Sequence, residues 1–468
     1  MGREASLTRQ HSAMPEFSPQ HRVSSESNQT TEVLDRKEER RNSGLLIWNG
    51  GFMFMAMTFV SYDMVLPAFI QSLTSSTILI GLTGALMRIG WAWPQVFTSR
   101  LIESRQRKMP IIFFSGGLRS ATWFVIALLT FRVGNEHPTL FLVGFLILYA
   151  VATSMMGISN VPWMDIIGKA IPSSQRAKVF AVRRLVGGAM AMISAGVISY
   201  VLSAGSGLTF PYNYGILFIL SGAGTALSIV IFGMVREPIE PVRQRTESLG
   251  AYLASGVGLL KQDANYRRLC AVQALWSFSM MATPFYVPYA LSNFSIGPQY
   301  VGIFAAWLQI SSVLSNVLWA YVGSRRGNQA LMVWGSYFMG LSILVPILAN
   351  FVPNHQVAPF AFAGLPFSFN LQIAFFTLTF VFSGFATSGL FTGRMTYVLD
   401  IAPADRRPTY TSFLNMFGLP QGLLPILAGI LVAWTSYLSM YVVALLFVPL
   451  TLWVVHRLEP VKRNEAAG

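Results

Sequence analysis

The chain has 468 residues, of which 53% are hydrophobic and 11% are charged, and its mean hydropathy is +0.52. An ordinary soluble domain carries roughly 25% charged residues, so the composition excludes a soluble enzyme of this length. Aromatic residues make up 13% of the chain and exclude a disordered protein, which leaves an integral membrane protein with several spans.

Cysteine content and net charge exclude further classes of protein. The single cysteine, Cys270, cannot form an intrachain disulfide or a thiolate metal cluster, and no metal or cofactor is predicted. The formal net charge of +14 would suit a nucleic-acid partner. The basic residues instead stand mostly between apolar runs, where they orient a membrane protein, so we expect contact with lipid and not with nucleic acid.

Apolar runs begin after a polar tail. Residues 1–44 lack the apolar core of a signal peptide, so we expect an uncleaved, disordered, cytoplasmic tail. A spanning helix needs about 20 mostly apolar residues. Twelve segments qualify and are numbered as spans 1 to 12: 45–70, 78–101, 110–131, 140–164, 185–203, 214–235, 269–291, 300–322, 330–351, 371–393, 412–434 and 438–455.

The basic residues also predict the orientation of the protein. The connections after odd-numbered spans contain Arg132 and no other lysine or arginine, whereas those after even-numbered spans are rich in both. Positive loops stay in the cytoplasm, so both termini are predicted to be cytoplasmic in a protein of the cell's inner or plasma membrane.

The longest connection divides the chain into two groups of six spans. Apolar residues between Leu249 and Leu260 recur at helical spacing and predict an amphipathic helix on the inner membrane face. The predicted domains are therefore an N-terminal bundle at 45–235, a cytoplasmic linker at 236–268, a C-terminal bundle at 269–457 and a cytoplasmic tail at 458–468.

The two groups of spans carry an internal repeat. Pro67 and Gly81 each lie 221 positions before a residue of the same type, Pro288 and Gly302. The same offset holds from the end of one span through the next span and its loop. Two homologous halves of this kind place a substrate site near the bilayer midplane between them.

A loop motif follows span 2 and recurs after span 8. The first copy, SRLIESRQRK at 99–108, has Glu103 at an acidic position and Arg107 and Lys108 at its basic end. The second copy, AYVGSRRGNQ, keeps a basic residue at Arg325.

These loops and the two halves resemble the major facilitator superfamily over roughly residues 45–457. The family pattern is Gly-x-x-x-Asp-Arg-x-Gly-Arg-Arg, from which Ser99, Ser104, Gln106 and Ser324 depart. The resemblance implies an all-α fold of two pseudo-symmetric six-helix bundles and solute transport by alternating access. It also implies that the loops latch the halves through charge pairs.

Asp63 is the only carboxylate well within any predicted span. At 1.5 Å per residue it lies about 10 Å from the outer end of span 1, and Arg88 lies about 15 Å from the outer end of span 2. A charge at the bilayer centre costs at least ~2.5 kcal/mol and is retained where it faces a cavity or a partner. Either Asp63 accepts a proton while Arg88 holds an anionic group, or the two form a static ion pair between spans 1 and 2.

Other charges have a structural and a functional interpretation. Arg119 is predicted to be a structural charge, because the resemblance makes span 3 peripheral. The charges at the cytoplasmic ends are either solvated loop residues or an inner gate whose ion pairs break when the cavity opens. The gate and loop-motif candidates are Glu103, Arg107, Lys108, Asp165, Arg176, Arg325, Arg394, Asp400 and Arg407.

Polar and aromatic residues within the spans are candidates for the solute pocket. Each is also explained by packing between helices, but together they fit a partly aromatic pocket for an organic solute. The predicted spans contain two interior arginines, Arg88 and Arg119, and one interior aspartate, Asp63. This excess of positive charge favours an anionic or amphiphilic solute. The substrate-binding candidates are Arg88, Gln95, Trp276, Tyr286, Trp307, Gln309 and Asn316.

The predicted function is secondary active transport of a small organic solute by a monomer, with proton coupling through Asp63. No metalloprotease, serine-hydrolase or nucleotide-binding motif occurs, so we expect neither an enzyme nor ATP-driven transport. A channel would need a ring of selectivity groups, which the two-half repeat disfavours. The alternative is a non-transporting receptor or assembly factor built on a transporter fold.

Overall fold

Fourteen α-helices make up most of the part of the chain that the computed structural model describes. That part is residues 35–239 without 104 and 135, residue 256, and residues 258–459 without 356–359, 363–364, 368–369, 404–405 and 417. The helices are α1 Arg36–Phe59, α2 Val65–Leu73, α3 Thr77–Glu103, α4 Met109–Val133, α5 Pro138–Ala170, α6 Ser173–Val201, α7 Tyr212–Gly233, α8 Ala264–Ser279, α9 Tyr286–Asn293, α10 Tyr300–Leu348, α11 Leu371–Ile401, α12 Arg407–Met416, α13 Leu424–Trp434 and α14 Tyr437–His456. Two short antiparallel strands, β1 Phe360–Phe362 and β2 Leu365–Phe367, lie between α10 and α11.

Every predicted span falls on helix, but the helices do not match the spans one for one. Span 1 is divided into α1 and α2, span 7 into α8 and α9, and span 11 into α12 and α13. Spans 8 and 9 are continuous in α10 except at Gly327. Among the described helices, seven are long and apolar enough to cross a membrane. The all-α membrane fold is confirmed, whereas the count of twelve helices is replaced by fourteen because of these breaks and this merger.

The first helix begins earlier than predicted. Asp35 accepts a hydrogen bond from the Glu38 amide at 2.7 Å, and Glu38 accepts one from the Asp35 amide at 3.4 Å. This capping box starts α1 at Arg36, so residues 36–44 of the predicted tail are helical. The predictions for residues 1–34, for the amphipathic segment at 249–255 and for the tail from 460 concern residues outside the described part of the chain.

The internal repeat extends to the breaks in the helices. Span 1 is interrupted at residues 60–64, and span 7 is interrupted by the 3₁₀ turn Met280–Phe285. The helices that follow start at Val65 and Tyr286, which are related by the 221-residue offset of the sequence repeat. Because the same irregular feature occurs at equivalent positions, the halves are related in structure as well as in sequence.

The halves meet mainly through two pairs of helices, α3 with α13 and α6 with α10, and α2 also contacts α9. We call the end of the bundle where α1 begins and α14 ends the terminal end, and the opposite end the far end. At the far end, Thr77 Oγ1 donates to the Gly429 carbonyl at 2.7 Å, and Ser199 Oγ donates to the Gln299 carbonyl at 2.9 Å. Side chain to backbone contacts therefore join the halves there on both sides of the interface.

Gly327 allows the chain to turn between spans 8 and 9. Its φ of 78° and ψ of 177° fall in a region that is essentially restricted to glycine. A Cβ atom at this position would meet no atom within 4 Å, so backbone conformation alone limits substitution.

We expect Gly327→Ala to lower the thermal unfolding midpoint of the purified protein, because the strained backbone costs about 1–3 kcal/mol. Gly117→Ala is the matched control, since Gly117 is helical and a Cβ there also meets nothing within 4 Å. Differential scanning fluorimetry in detergent would compare the two variants. Equal midpoints for both would contradict the strain argument.

Candidate functional site

The break in span 1 carries Asp63. Ser61 Oγ accepts from the Val65 amide at 3.1 Å, and the Ser61 carbonyl accepts from the Leu66 amide at 3.0 Å, so local bonds start α2 directly after the break. Non-helical backbone at membrane depth is tolerated where it is buried in protein or lines a cavity. Asp63 is half-buried, and within the described residues no basic group lies within 4 Å of its carboxylate.

Arg88 connects the two halves. Its Nη1 donates to Gln421 Oε1 at 3.3 Å, which joins α3 to the 3₁₀ turn Leu419–Gly422 between α12 and α13. Arg88 and Asp63 form no direct ion pair. The static clamp between spans 1 and 2 that the sequence allowed is thus not formed. Sequence reasoning missed Gln421, for which the signal was an amide within an otherwise apolar span.

A small cavity, of about 40 Å³, adjoins the break inside the N-terminal half. Its lining includes Tyr62 next to Asp63, Arg119 and Trp123 of α4, and Tyr149 of α5. Arg119 is 6% exposed and Tyr149 is 1% exposed. The cavity therefore places a buried cation and a buried phenol beside the unwound segment.

Arg119 does not make the structural pairing that was predicted. Its Nη2 donates to Met53 Sδ at 3.3 Å, and no carboxylate of the described residues lies within 4 Å of it. The prediction was wrong about its surroundings because α4 packs against α5 and α7 and turns this face towards the cavity. Tyr149, which sequence reasoning also missed, has a buried hydroxyl without a hydrogen-bond partner in the described structure.

Two of the substrate-binding candidates are occupied in contacts within one half. Ser342 Oγ donates to the Tyr286 hydroxyl at 3.1 Å, and the Tyr286 ring stacks on Tyr441 with centroids 5.7 Å apart. Gln95 Oε1 accepts from Asn160 Nδ2 at 3.3 Å. For Tyr286 and Gln95, the geometry fits the packing interpretation.

The candidates on α10 are more accessible. The Trp307 side chain is 40% exposed, and Gln309 is half-buried. Asn316 Oδ1 accepts from Ser388 Oγ at 3.1 Å and from Arg184 Nη1 at 3.4 Å. Because Arg184 belongs to α6, Asn316 contributes to the contact between the halves.

Each half contains an arginine that stacks on a tryptophan. The Arg394 guanidinium lies 5.4 Å from the centroid of the Trp276 ring, and that of Arg183 lies 4.7 Å from the Trp163 ring. The Nε atoms of both arginines are buried without a hydrogen-bond partner in the described part of the chain. Arg394 was a gate candidate and Trp276 a substrate candidate, and the structure brings them together. Arg183 belongs to the same group of charges at the predicted cytoplasmic helix ends, for which the sequence left open a solvated loop or an inner gate.

The acidic gate candidates pair within their own halves. Asp165 Oδ2 lies 2.5 Å from Lys108 Nζ and 2.8 Å from Lys169 Nζ. Burial lowers the pKa of the Lys108 ammonium, although the hydrogen bond to Asp165 opposes this effect. Asp400 Oδ2 accepts from Asn328 Nδ2 at 2.5 Å. Among the residues that the structure describes, no ion pair joins the halves at the terminal end.

The basic gate candidates have local contacts or are exposed. Arg176 donates to the Ile171 carbonyl at 2.9 Å and so helps to terminate α5. Arg325 lies 4.5 Å above the Tyr321 ring. Arg107 is exposed. The side chains of Glu103 and Arg407 lie outside the described structure.

Comparison with known proteins identifies the fold. The model of the Major Facilitator Superfamily matches residues 269–468. A mutant of the nucleoside transporter NupG aligns over 90% of this chain and 100% of its own, with a TM-score of 0.68 and 12% identity. An auto-inhibited POT family peptide transporter aligns over 91% of this chain and 99% of its own, with a TM-score of 0.64 and 12% identity.

A third solved structure has the same fold. A bacterial homologue of the human lysosomal transporter Spinster, inward-facing and unoccupied, aligns over 91% of this chain and 98% of its own, with a TM-score of 0.62 and 13% identity. A search of curated proteins found no significant match. The C-terminal part of the chain therefore matches the model of the Major Facilitator Superfamily, and 90–91% of the chain shares its fold with these solved transporter structures.

Proposed function

We propose that this protein is a proton-coupled secondary transporter that moves a small organic anion by alternating access. The observation that carries the proposal is the position of Asp63 at the break in span 1, without an ion-pair partner among the described residues. A carboxylate within a membrane bundle is functional by default, because its burial is costly. An aspartate that is free of an ion pair is able to gain and lose a proton as the surrounding cavity changes.

The charge of the interior supports an anionic solute. Arg88, Arg119, Arg183 and Arg394 are buried or half-buried, against Asp63 alone away from the helix ends. None of these arginines has a carboxylate within 4 Å in the described structure. Buried arginines without acidic partners favour the binding of a negatively charged group. The solved structures that share this fold include a nucleoside transporter and a peptide transporter, which is consistent with an organic solute.

The distribution of contacts between the halves supports alternating access. The far end is joined by hydrogen bonds to backbone carbonyls and by helices in close contact, whereas no described ion pair joins the halves at the terminal end. We infer a state that is closed at the far end. With both termini in the cytoplasm of the plasma or inner cell membrane, as the basic loops indicate, this state faces inward.

A cross-link at the far end tests alternating access. Cysteines replace Ser199 and Gln299, which are in contact across the halves, in a Cys270→Ser background. The solute for the uptake assay is first chosen by a thermal-shift screen of small organic acids, because a ligand stabilises the state that it binds. We expect oxidation to stop uptake of that acid into proteoliposomes and a reducing agent to restore it.

The two single-cysteine variants are the controls and should transport under both conditions. Undiminished uptake by the fully cross-linked protein would contradict alternating access at this interface. Binding of acids without any uptake in the reduced, uncross-linked protein would favour the non-transporting receptor instead.

A further inference from the structure

The cavity beside the break in span 1 has the properties of an anion-binding site that is built by the N-terminal half alone. All of its lining residues belong to α1 to α5 or to the break between α1 and α2. The contact between Arg88 and Gln421, by contrast, joins the two halves. The cavity therefore lies within one bundle.

The cation of this cavity lacks a counter-charge. Arg119 is 6% exposed, and the one hydrogen-bond acceptor that contacts it among the described residues is the thioether of Met53. A thioether sulfur is a weak acceptor. Removing a guanidinium from water costs several kcal/mol unless charge and hydrogen bonds compensate, so this arrangement favours an anion beside Arg119.

A second polar residue lines the same cavity. The Tyr149 hydroxyl is buried without a hydrogen-bond partner in the described structure, and Tyr149 lines the cavity together with Arg119. A phenol hydroxyl donates one hydrogen bond, and a guanidinium offers several to the same acceptor.

The remaining lining is apolar and suits a short hydrocarbon group. Trp123, Met57, Met87 and Met156 surround the polar pair. Methionine side chains adapt to ligands of irregular shape. A cavity with an apolar wall and two convergent donors is typical of sites for small amphiphilic ligands.

We propose that Arg119 and Tyr149 bind a monovalent anionic group in this cavity, with Trp123 and the methionines against any attached apolar chain. The inference rests on the proposed function, because it defines the chemistry of the transported solute. The same chemistry fits the carboxylate of a transported acid or a free inorganic anion.

Thermal unfolding of the full-length protein in detergent tests the site. Sodium chloride, sodium acetate and sodium butyrate are titrated at equal concentrations against the wild type, Arg119→Gln and Tyr149→Phe. We expect a saturable rise in the unfolding midpoint of the wild type. Each variant should need about tenfold more anion for half of the rise, because a charge-assisted hydrogen bond is lost.

Arg132→Gln is the matched control, because it removes one exposed positive charge from the same helix without reaching the cavity. It should respond as the wild type does. Tyr149→Phe keeps the aromatic ring, so it provides a second test of the site if Arg119→Gln does not fold. A stronger effect of butyrate than of acetate or chloride supports a solute carboxylate, and an equal effect of chloride supports a free inorganic anion.

Two results would overturn the inference. One is a wild type whose midpoint does not respond to any of the three anions. The other is Tyr149→Phe and Arg119→Gln responding as the wild type does. The proposed function fails separately, since Asp63→Asn retaining full proton coupling would reject it while leaving anion binding by Arg119 intact.

Discussion

Replacing Asp63 with asparagine should abolish solute-driven proton flux and leave solute exchange in place. Asparagine has nearly the same size and shape but neither accepts nor releases a proton in this range of pH. Asp63 lies at the break in span 1 and has no described ion pair to lose, so the change removes protonation with little effect on packing. The expected proton flux is that of protein-free vesicles.

The measurement uses proteoliposomes that contain a pH-sensitive dye and an acid identified by thermal shift. Glu136→Gln is the matched control, because Glu136 is an exposed carboxylate in the connection between α4 and α5. This control should keep the wild-type flux, and Asp63→Glu should recover part of it. Wild-type proton flux in Asp63→Asn would remove Asp63 from the coupling mechanism.

Replacing Gly81 or Gly302 with alanine should reduce transport about tenfold or more. A shift of roughly 1.4 kcal/mol in the equilibrium between the states closed and open at the far end is enough to cause a change of this size. A Cβ at Gly81 would lie 2.0 Å from the Pro425 carbonyl oxygen, and one at Gly302 would lie 2.3 Å from the Ala195 carbonyl oxygen. In both cases the obstacle is backbone of the other half, which does not move aside as a flexible side chain does. Each variant therefore disfavours the state that is closed at the far end.

Accessibility at the far end measures this shift. Gln71→Cys in a Cys270→Ser background reports on the same end, because Gln71 Nε2 donates to the Pro288 carbonyl of the other half at 2.9 Å. We expect Gly81→Ala and Gly302→Ala to speed its reaction with a membrane-impermeant maleimide.

Gly144→Ala is the control for these glycine variants, since a Cβ there meets a single side-chain atom at 4.0 Å. Its labelling and transport should equal those of the parent. Because Gly81 and Gly302 are related by the internal repeat, their effects should be similar in size. Unchanged labelling in both would show that these contacts do not hold the far end closed.

Apolar length, loop charge and the internal repeat were sufficient to predict the membrane fold. A spanning helix needs about 20 mostly apolar residues, so each span can be recognised in the sequence as an apolar run of that length. Asp63 and Arg88 were found in the same way, because a charge in an apolar run is conspicuous. The repeat of Pro67 and Gly81 at Pro288 and Gly302 indicated the two halves before their broken helices were known.

Tertiary structure alone decided which side chains face the cavity and which face each other. Helices that are apolar all round have little amphipathic pattern to mark an inward face. Arg119 was therefore assigned a structural pairing, while Tyr149 and Gln421 were overlooked. Only the packing of α4 against α5 and α7 placed Arg119 and Tyr149 in the wall of one cavity, and only the meeting of the two halves gave Arg88 its contact with Gln421.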